Sequence, residues 1–196
     1  MVDTRDADLT YGATDYLVYV AALDTPAPTA FADPASAWMN AGWVTTDGGV
    51  FKMEEESKDI EAAGSLEPIR SLMIKSSKTN QVTFLEYLNP LVRSLYDNVP
   101  VSSLKPTAGI VTYDLPDKPN DLRYAFLFDS FDGDKRVRLY MPNGKVTERG
   151  DEQGQTQQES SLQMTFKFYK GATASAVSRS IDYGDTDMSR FFPVTP

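Results

Sequence analysis

The chain has 196 residues, of which 41% are hydrophobic and 11% aromatic, enough apolar material for one folded domain with a hydrophobic core. It contains neither cysteine nor histidine, which excludes disulfides, zinc–thiolate sites, cysteine nucleophiles and every mechanism that needs an imidazole. With 28 acidic and 19 basic residues the formal net charge is −9, the opposite of what sequence-specific DNA binding requires.

The N-terminal segment carries no sign of export or membrane insertion. Its first eight residues are polar and acidic, whereas a secretory signal needs a basic end followed by an apolar run. The longest apolar stretch, residues 16–23, is far shorter than the roughly 20 residues that span a bilayer. We therefore expect no membrane partner. Residues 15–23 are predicted to form a first strand buried on both faces.

Residues 25–37 are predicted to form a loop or an extended arm. Three prolines interrupt this segment, and neither a central strand nor a regular helix tolerates them. A short strand is expected at 41–46, followed by a hairpin turn at Asp47-Gly48-Gly49, because these residue types favour the positive φ of such turns.

A new strand is predicted from Val50. Alternation places Phe51 and Met53 on one face and the charged side chains Lys52, Glu54 and Glu56 on the other. The charged run 54–61 is typical of a solvated edge strand that resists aggregation. It makes a poor metal site, since adjacent carboxylates on a strand point to opposite faces.

Residues 69–87 contain no glycine or proline, and their middle, 75–81, is polar on both faces. A strand with two polar faces has nothing to bury by itself. This favours a ribbon that projects from the domain or crosses a wet subunit wall. The alternative interpretation is two short strands joined by a polar loop at 76–80.

A short helix is predicted at 89–98. Asn89 is a good N-cap and Pro90 suits the first turn. Leu88, Leu91 and Leu95 would form its apolar stripe. A single amphipathic helix of this kind normally packs across one face of a sheet.

The C-terminal half is predicted to be a meander of strands at 122–131, 135–141 and 161–170, with strict alternation of large apolar residues. Turns are expected at Asp132-Gly133 and Pro142-Asn143-Gly144. The polar segment 145–160 is predicted to be an exposed loop, with both ends able to extend the neighbouring strands. Residues 172–196 are expected to be a polar C-terminal tail with an apolar end at 191–193.

No pattern in the sequence indicates catalysis, a cofactor or a metal. Residues 129–134 resemble a calcium loop, but their spacing does not match one and a β-turn explains them better. We therefore expect a protein that is not an enzyme. Two other classes stay open: a β-sandwich carbohydrate-binding module with Trp38 and Trp43 as platforms, and a carboxylate hydrolase. Both tryptophans adjoin a predicted core strand, which favours their burial.

The region 25–98 resembles the tail tube proteins of siphophages, especially the group common among actinobacterial phages. The segments that carry the resemblance appear in the family's order, at 25–29, 38–48, 51–61, 63–70 and 82–89, and 161–170 matches its last strand. The chain departs from the family at Gly49, which is an extra glycine, and at Pro90.

The resemblance implies a mainly β fold, a β-sandwich or barrel-like tail tube domain over residues 1–171 with one short helix. Six subunits would join their sheets into a hexameric ring with a continuous β-barrel channel, and rings would stack into a tube. The expected partners are the protein itself and the tail tip, tape-measure and tail terminator proteins. Genomic DNA would pass without tight binding, in a virion tail assembled in the host cytoplasm.

The resemblance also implies roles for individual segments. Residues 50–61 and 70–87 would form much of the inner wall, with their apolar side chains Phe51, Met53, Val82 and Phe84 facing the subunit core. The candidates for the lumen are Lys52, Glu54 and Glu56, and an acidic lining there would repel phosphates so that DNA slides.

The loop 61–70 would bridge successive rings through Glu61, Leu66, Glu67 and Arg70, and the helix would cover the outer side of the sheet. Other tube-fold components of a tail fit the same resemblance: a tail terminator, a baseplate hub ring or the inner tube of a contractile system.

Overall fold

The computed structural model describes residues 6–29, 31–153, 159–188 and 191. Within them, eight antiparallel strands form one sheet with one α-helix, α1 (Pro90–Asp97). The strands are β1 (Asp15–Ala22), β2 (Met39–Asn40), β3 (Val44–Ile60), β4 (Arg70–Phe84), β5 (Tyr124–Asp132), β6 (Lys135–Arg149), β7 (Leu162–Tyr169) and β8 (Ser178–Asp182). The predicted mainly β fold with one short helix is confirmed. No helix in this part of the chain is long and apolar enough to cross a membrane.

The sheet has the strand order β2-β1-β5-β6-β7-β4-β3, with β8 also paired to β6. The sheet curls: Asn80 on β4 donates a hydrogen bond of 3.1 Å to the Tyr16 hydroxyl group on β1, although β5, β6 and β7 separate these two strands in the order. The space between the curled halves is the hydrophobic core. The alternating apolar residues predicted on β5, β6 and β7 meet there.

Strand β6 changes partner along its length. Its first part pairs with β5 and β8, and its last part, from Asn143, pairs with β7. The predicted turn at Pro142-Asn143-Gly144 is wrong, because the register shift between the pairs Tyr124–Gly144 and Phe126–Met141 makes this stretch a β-bulge. A bulge tolerates proline within a strand. Gly144 is needed because a Cβ there would lie 2.9 Å from the Phe126 and Phe168 rings.

The predicted turn at Asp47-Gly48-Gly49 is also a bulge, and β3 runs through it without reversing. Gly48 has φ +62°, and the ring of Tyr16 packs beneath it. A side chain on Gly49 would collide with the Tyr16 hydroxyl group. The predicted turn at Asp132-Gly133 is confirmed, with Gly133 at φ +61°.

Helix α1 packs on the core with Leu91 and Leu95 buried. The side chain of Asn89 caps it by accepting a hydrogen bond of 2.9 Å from the Leu91 backbone N–H. The prediction for Leu88 is wrong, since this residue precedes the cap and its side chain is 85% exposed.

The Pro-rich loop is anchored on the face of β5 and β6 that points away from the core. Asp129 on β5 is fully buried and accepts two hydrogen bonds of 2.7 Å from Arg138 and one of 2.9 Å from Arg136. Both guanidinium groups also donate to the loop, Arg136 to the Phe31 carbonyl and Arg138 to the Ala32 carbonyl. The buried Asp129–Arg138 pair is thus compensated, and the two arginines hold the loop in place.

The region predicted as a polar tail contains strand β8. All of its residues are exposed, and it pairs with Arg136–Tyr140 of β6. A strand without an apolar face gives no periodic signal in the sequence, so its pairing could not be predicted. Of the apolar end at 191–193, residues 192 and 193 lie outside the described residues.

Candidate functional site

One face of the sheet is polar. On β3, β4, β7 and the last part of β6, side chains alternate between the core and this opposite face, which we call the polar face. Its charged residues are Lys52, Glu54, Lys145, Glu148 and Lys167. The uncharged polar residues between them are Ser77, Thr79, Gln81, Thr147 and Thr165.

The predicted alternation on β3 holds for Lys52 and Glu54, which lie together on the polar face. Glu56 is cross-strand from Lys75, one step further from the core. Each carboxylate has a cation beside it: Lys52 Nζ is 2.5 Å from Glu54, and Lys75 Nζ is 3.9 Å from Glu56. The hydrogen bond from Lys52 lowers the pKa of the Glu54 carboxyl group. These side chains are exposed, so such pairs contribute little to stability.

Sequence reasoning missed the contribution of β6 and β7 to this face. Lys145 begins the predicted loop 145–160, whose ends are able to extend the neighbouring strands, and the prediction for 161–170 concerns only its buried side. Thr165 and Lys167 alternate with the buried residues of this strand, so the same periodicity could have placed them on the polar face. With them included, four lysines and three glutamates occupy the polar face and its extension to the Glu56–Lys75 pair. The face is close to neutral although the chain carries −9.

The predicted ribbon is confirmed only in part: of the stretch 75–81, residues 75–77 extend beyond β7, whereas 78–81 lie between β3 and β7 and Asn80 is fully buried. Strand β4 pairs with β7 only from Lys78 onward, whereas its segment 70–77 pairs with β3 alone. The alternative of two short strands joined at 76–80 is wrong, because β4 is continuous from Arg70 to Phe84. We call residues 53–77 the ribbon: two paired strand segments and the loop 61–69 that joins them.

Large apolar side chains of the ribbon are exposed. Their exposed fractions are 60% for Met53, 66% for Met73, 55% for Ile74, 106% for Leu66 and 64% for Ile69. The expectation that Met53 faces the core is wrong, because β3 has passed beyond the core at that point. Phe51, Val82 and Phe84 do pack in the core or against it.

The candidates for contacts between rings all lie on the ribbon. Glu61, Leu66, Glu67 and Arg70 are exposed, and Gly64 turns the loop with φ +89°. The loop closes through a backbone hydrogen bond of 2.9 Å from Ile69 to Ile60. Their contact with another subunit stays a prediction.

Two of the features that suggested other chemistry, Asp129 and Trp38, have structural roles, and Trp43 does not. Asp129 of the calcium-like segment is engaged by two arginines, and no group of three or more metal-ligating side chains converges in the described residues. Trp38 is buried against the Tyr140 ring. The expected burial of Trp43 is wrong: it is 72% exposed. Its backbone N–H donates a hydrogen bond to Glu86.

The sequence model of a family described as phage tail tube protein matches residues 6–181. This chain belongs to the phage tail tube protein family. The resemblance seen in the sequence is confirmed at that level, and the chain is a tail tube-type structural component of a phage virion. No curated protein matches its sequence.

Several solved structures have a similar fold at very low sequence identity. A chain from the C6-symmetric tail of an empty GTA particle has 10% identity and a TM-score of 0.45, covering 87% of this chain and 99% of its own. The sheath/tube terminator of the PVC extracellular contractile injection system has 7% identity and a TM-score of 0.46, with 89% and 99% covered. The tube-terminating cap of the anti-feeding prophage has 8% identity and a TM-score of 0.45, with 93% and 100% covered.

Proposed function

We propose that this protein is the major tail tube subunit of a long, flexible-tailed phage, and that it polymerises as stacked hexameric rings around the DNA channel. The observation that carries the proposal is the ribbon. It extends beyond the sheet as two strands with exposed apolar side chains, Met53, Met73 and Ile74 among them. A two-stranded hairpin is marginally stable in water by itself. Contact with other copies of the chain would bury these side chains and stabilise it.

The polar face is the candidate for the channel wall. The core and α1 lie on one side of the sheet and the polar face on the other, so a ring with this face inward has a hydrophilic lumen. Lys52, Glu54 and Glu56 would line it. The loop 61–69, with Leu66 and Ile69 at its exposed surface, would reach the next ring.

The partners follow from this place in the virion. The tube would begin at the tail tip, grow around a tape-measure protein and end at a tail terminator, with assembly in the host cytoplasm. Its role is structural, without catalysis. A tail terminator, a baseplate hub ring or a contractile inner tube would have the same fold, and the number of copies per virion separates one ring from a whole tube.

The decisive experiment is assembly of purified protein, followed by negative-stain electron microscopy and sedimentation velocity. The wild type is expected to form rings and tubes at high concentration or on a tail-tip nucleus. The Leu66→Ser/Ile69→Ser variant should stay folded but form no tubes, because it lacks the apolar contacts of the loop. Leu88→Ser, equally exposed at the other end of β4, is the matched control and should assemble normally.

A wild type that stays monomeric under all these conditions and is absent from virions would falsify the proposal. Normal tubes from the double variant would show that Leu66 and Ile69 are not needed for the contact between rings.

A further inference from the structure

Three lysines of the polar face lie in one line across the strands. In the register of the sheet, Lys52 on β3 is opposite Thr79 on β4, Thr79 is opposite Lys167 on β7, and Lys167 is opposite Lys145 on β6. We call Lys52, Lys167 and Lys145 the lysine line. It crosses the whole width of the polar face at one level.

The lysine line is incompletely neutralised. Lys52 pairs with Glu54 at 2.5 Å and Lys145 pairs with Asp121 at 2.9 Å. Lys167, between them, forms no ion pair among the described residues, and its nearest carboxylate interaction is with Glu54, whose pKa it helps to lower and which Lys52 already engages. It is also directly cross-strand from Lys145, and like charges in such a pair repel each other. An anion placed over Lys167 and Lys145 would relieve this repulsion.

The neighbours of Lys167 suit a phosphate group. Thr79 and Thr165 flank it on the same face, and their hydroxyl groups can donate hydrogen bonds to phosphate oxygens. Lysine and threonine are common ligands of the nucleic acid backbone. Among the described residues of this face Tyr169 is the one aromatic side chain, so stacking on bases is a minor element of this surface.

We propose that the lysine line binds backbone phosphates of the DNA that passes over the polar face. This inference rests on the proposed function, which places the polar face in the lumen. In this inference the channel wall contacts DNA weakly and reversibly, whereas the sequence predicted an acidic lining that repels it. Glu54 and Glu148 beside the line limit the strength of each contact, so that the DNA exchanges one set of lysines for the next.

The test compares assembled tubes of the wild type, Lys167→Gln and Lys118→Gln by fluorescence anisotropy of a labelled duplex at low and at physiological salt. Lys118 lies in an exposed loop outside the polar face, so its variant controls for the change in net charge. Wild-type and Lys118→Gln tubes should bind the duplex equally, and Lys167→Gln tubes at least about threefold more weakly. The wild-type affinity should fall as salt rises, because phosphate contacts release counterions.

A second measurement does not depend on assembly. In the isolated subunit, NMR titration with the same duplex should shift the amide signals of Thr79, Thr165 and Lys167, and a polyglutamate peptide should shift them much less. Equal duplex binding by Lys167→Gln and wild-type tubes, or a preference for polyglutamate, would overturn the inference while the tube assignment stands. Subunits that bind the duplex at the lysine line but never assemble would overturn the tube assignment instead.

Discussion

The two halves of strand β4 differ sharply although they belong to one continuous strand. Its segment 78–84 lies between β3 and β7, and Asn80, Val82 and Phe84 are fully buried there. Its segment 70–77 is paired only with β3, and Met73 and Ile74 are more than half exposed. The segment 78–84 belongs to the core that folds the subunit. The segment 70–77 is available for contacts that the isolated subunit cannot make.

The largest effect is expected in the core. Phe126 packs against the rings of Phe128, Phe166 and Phe168, so Phe126→Ala removes contacts that join the two halves of the curled sheet. We expect it to lower the free energy of unfolding by about 3–5 kcal/mol, measured by urea titration. Leu88→Ala is the control and should change it by at most about 0.5 kcal/mol. A loss below about 1 kcal/mol for Phe126→Ala would show that the core is not closed by this cluster.

An intermediate effect is expected at alkaline pH from Tyr16. Burial raises the pKa of Tyr16 from 10.0 to about 12, against the opposing hydrogen bond from Asn80. The folded protein therefore keeps this proton between pH 10 and 12 while the unfolded chain releases it. The contribution of the protonated Tyr16 to the free energy of unfolding is therefore complete below pH 10. It is lost as pH rises through 12, and the loss is at most about 2–3 kcal/mol.

The measurement compares the wild type with Tyr16→Phe by urea unfolding at pH 9, 10.5 and 12. The stability of the wild type relative to the variant should fall across this range by about 2 kcal/mol. Tyr183→Phe, at an exposed position, controls for the loss of one tyrosine. A difference that stays constant with pH would contradict the burial of the Tyr16 hydroxyl group.

The smallest effect on the isolated subunit is expected in the ribbon. Met73→Ser should change the free energy of unfolding by no more than about 0.5 kcal/mol, because Met73 has few neighbours to lose. Met164→Ser, at a fully buried position on β7, should cost about 2–5 kcal/mol by comparison.

Hydrogen exchange sharpens the same comparison. Amides of residues 70–76 should exchange much faster than those of β7 in the monomer and become protected on assembly. Equal protection of both segments in the monomer would show that the ribbon is already stable by itself.

Much of the fold could be predicted because alternation on β5, β7 and the first part of β6 is regular and the cap at Asn89 is specific. Glycine and proline gave the errors in placing turns. The same residue types mark turns and bulges, since both need positive φ or a break in pairing. Asp132-Gly133 reverses the chain, whereas the stretches at 47–49 and 142–144 do not.

The candidate site was less predictable for a different reason. Alternation places Lys52 and Glu54 on one face of their own strand, but it cannot tell which distant strands lie beside them. Lys145 and Lys167 reach Lys52 only through the register of three strand pairs. That register depends on the core contacts of the whole domain. The exposure of Trp43 likewise depends on packing that no local pattern records.

The bulge in β6 restricts how the gene for this protein can change in length. Before the bulge, Leu139 and Met141 face the core at odd positions; after it, Gly144 and Val146 face the core at even positions. Deleting one codon at 142–143 would turn every later side chain of β6 to the opposite side, placing Lys145 in the core and Val146 on the polar face. Homologous chains should therefore keep the spacing between Met141 and Lys145 constant and place their insertions in the loops, such as the one that follows Arg149.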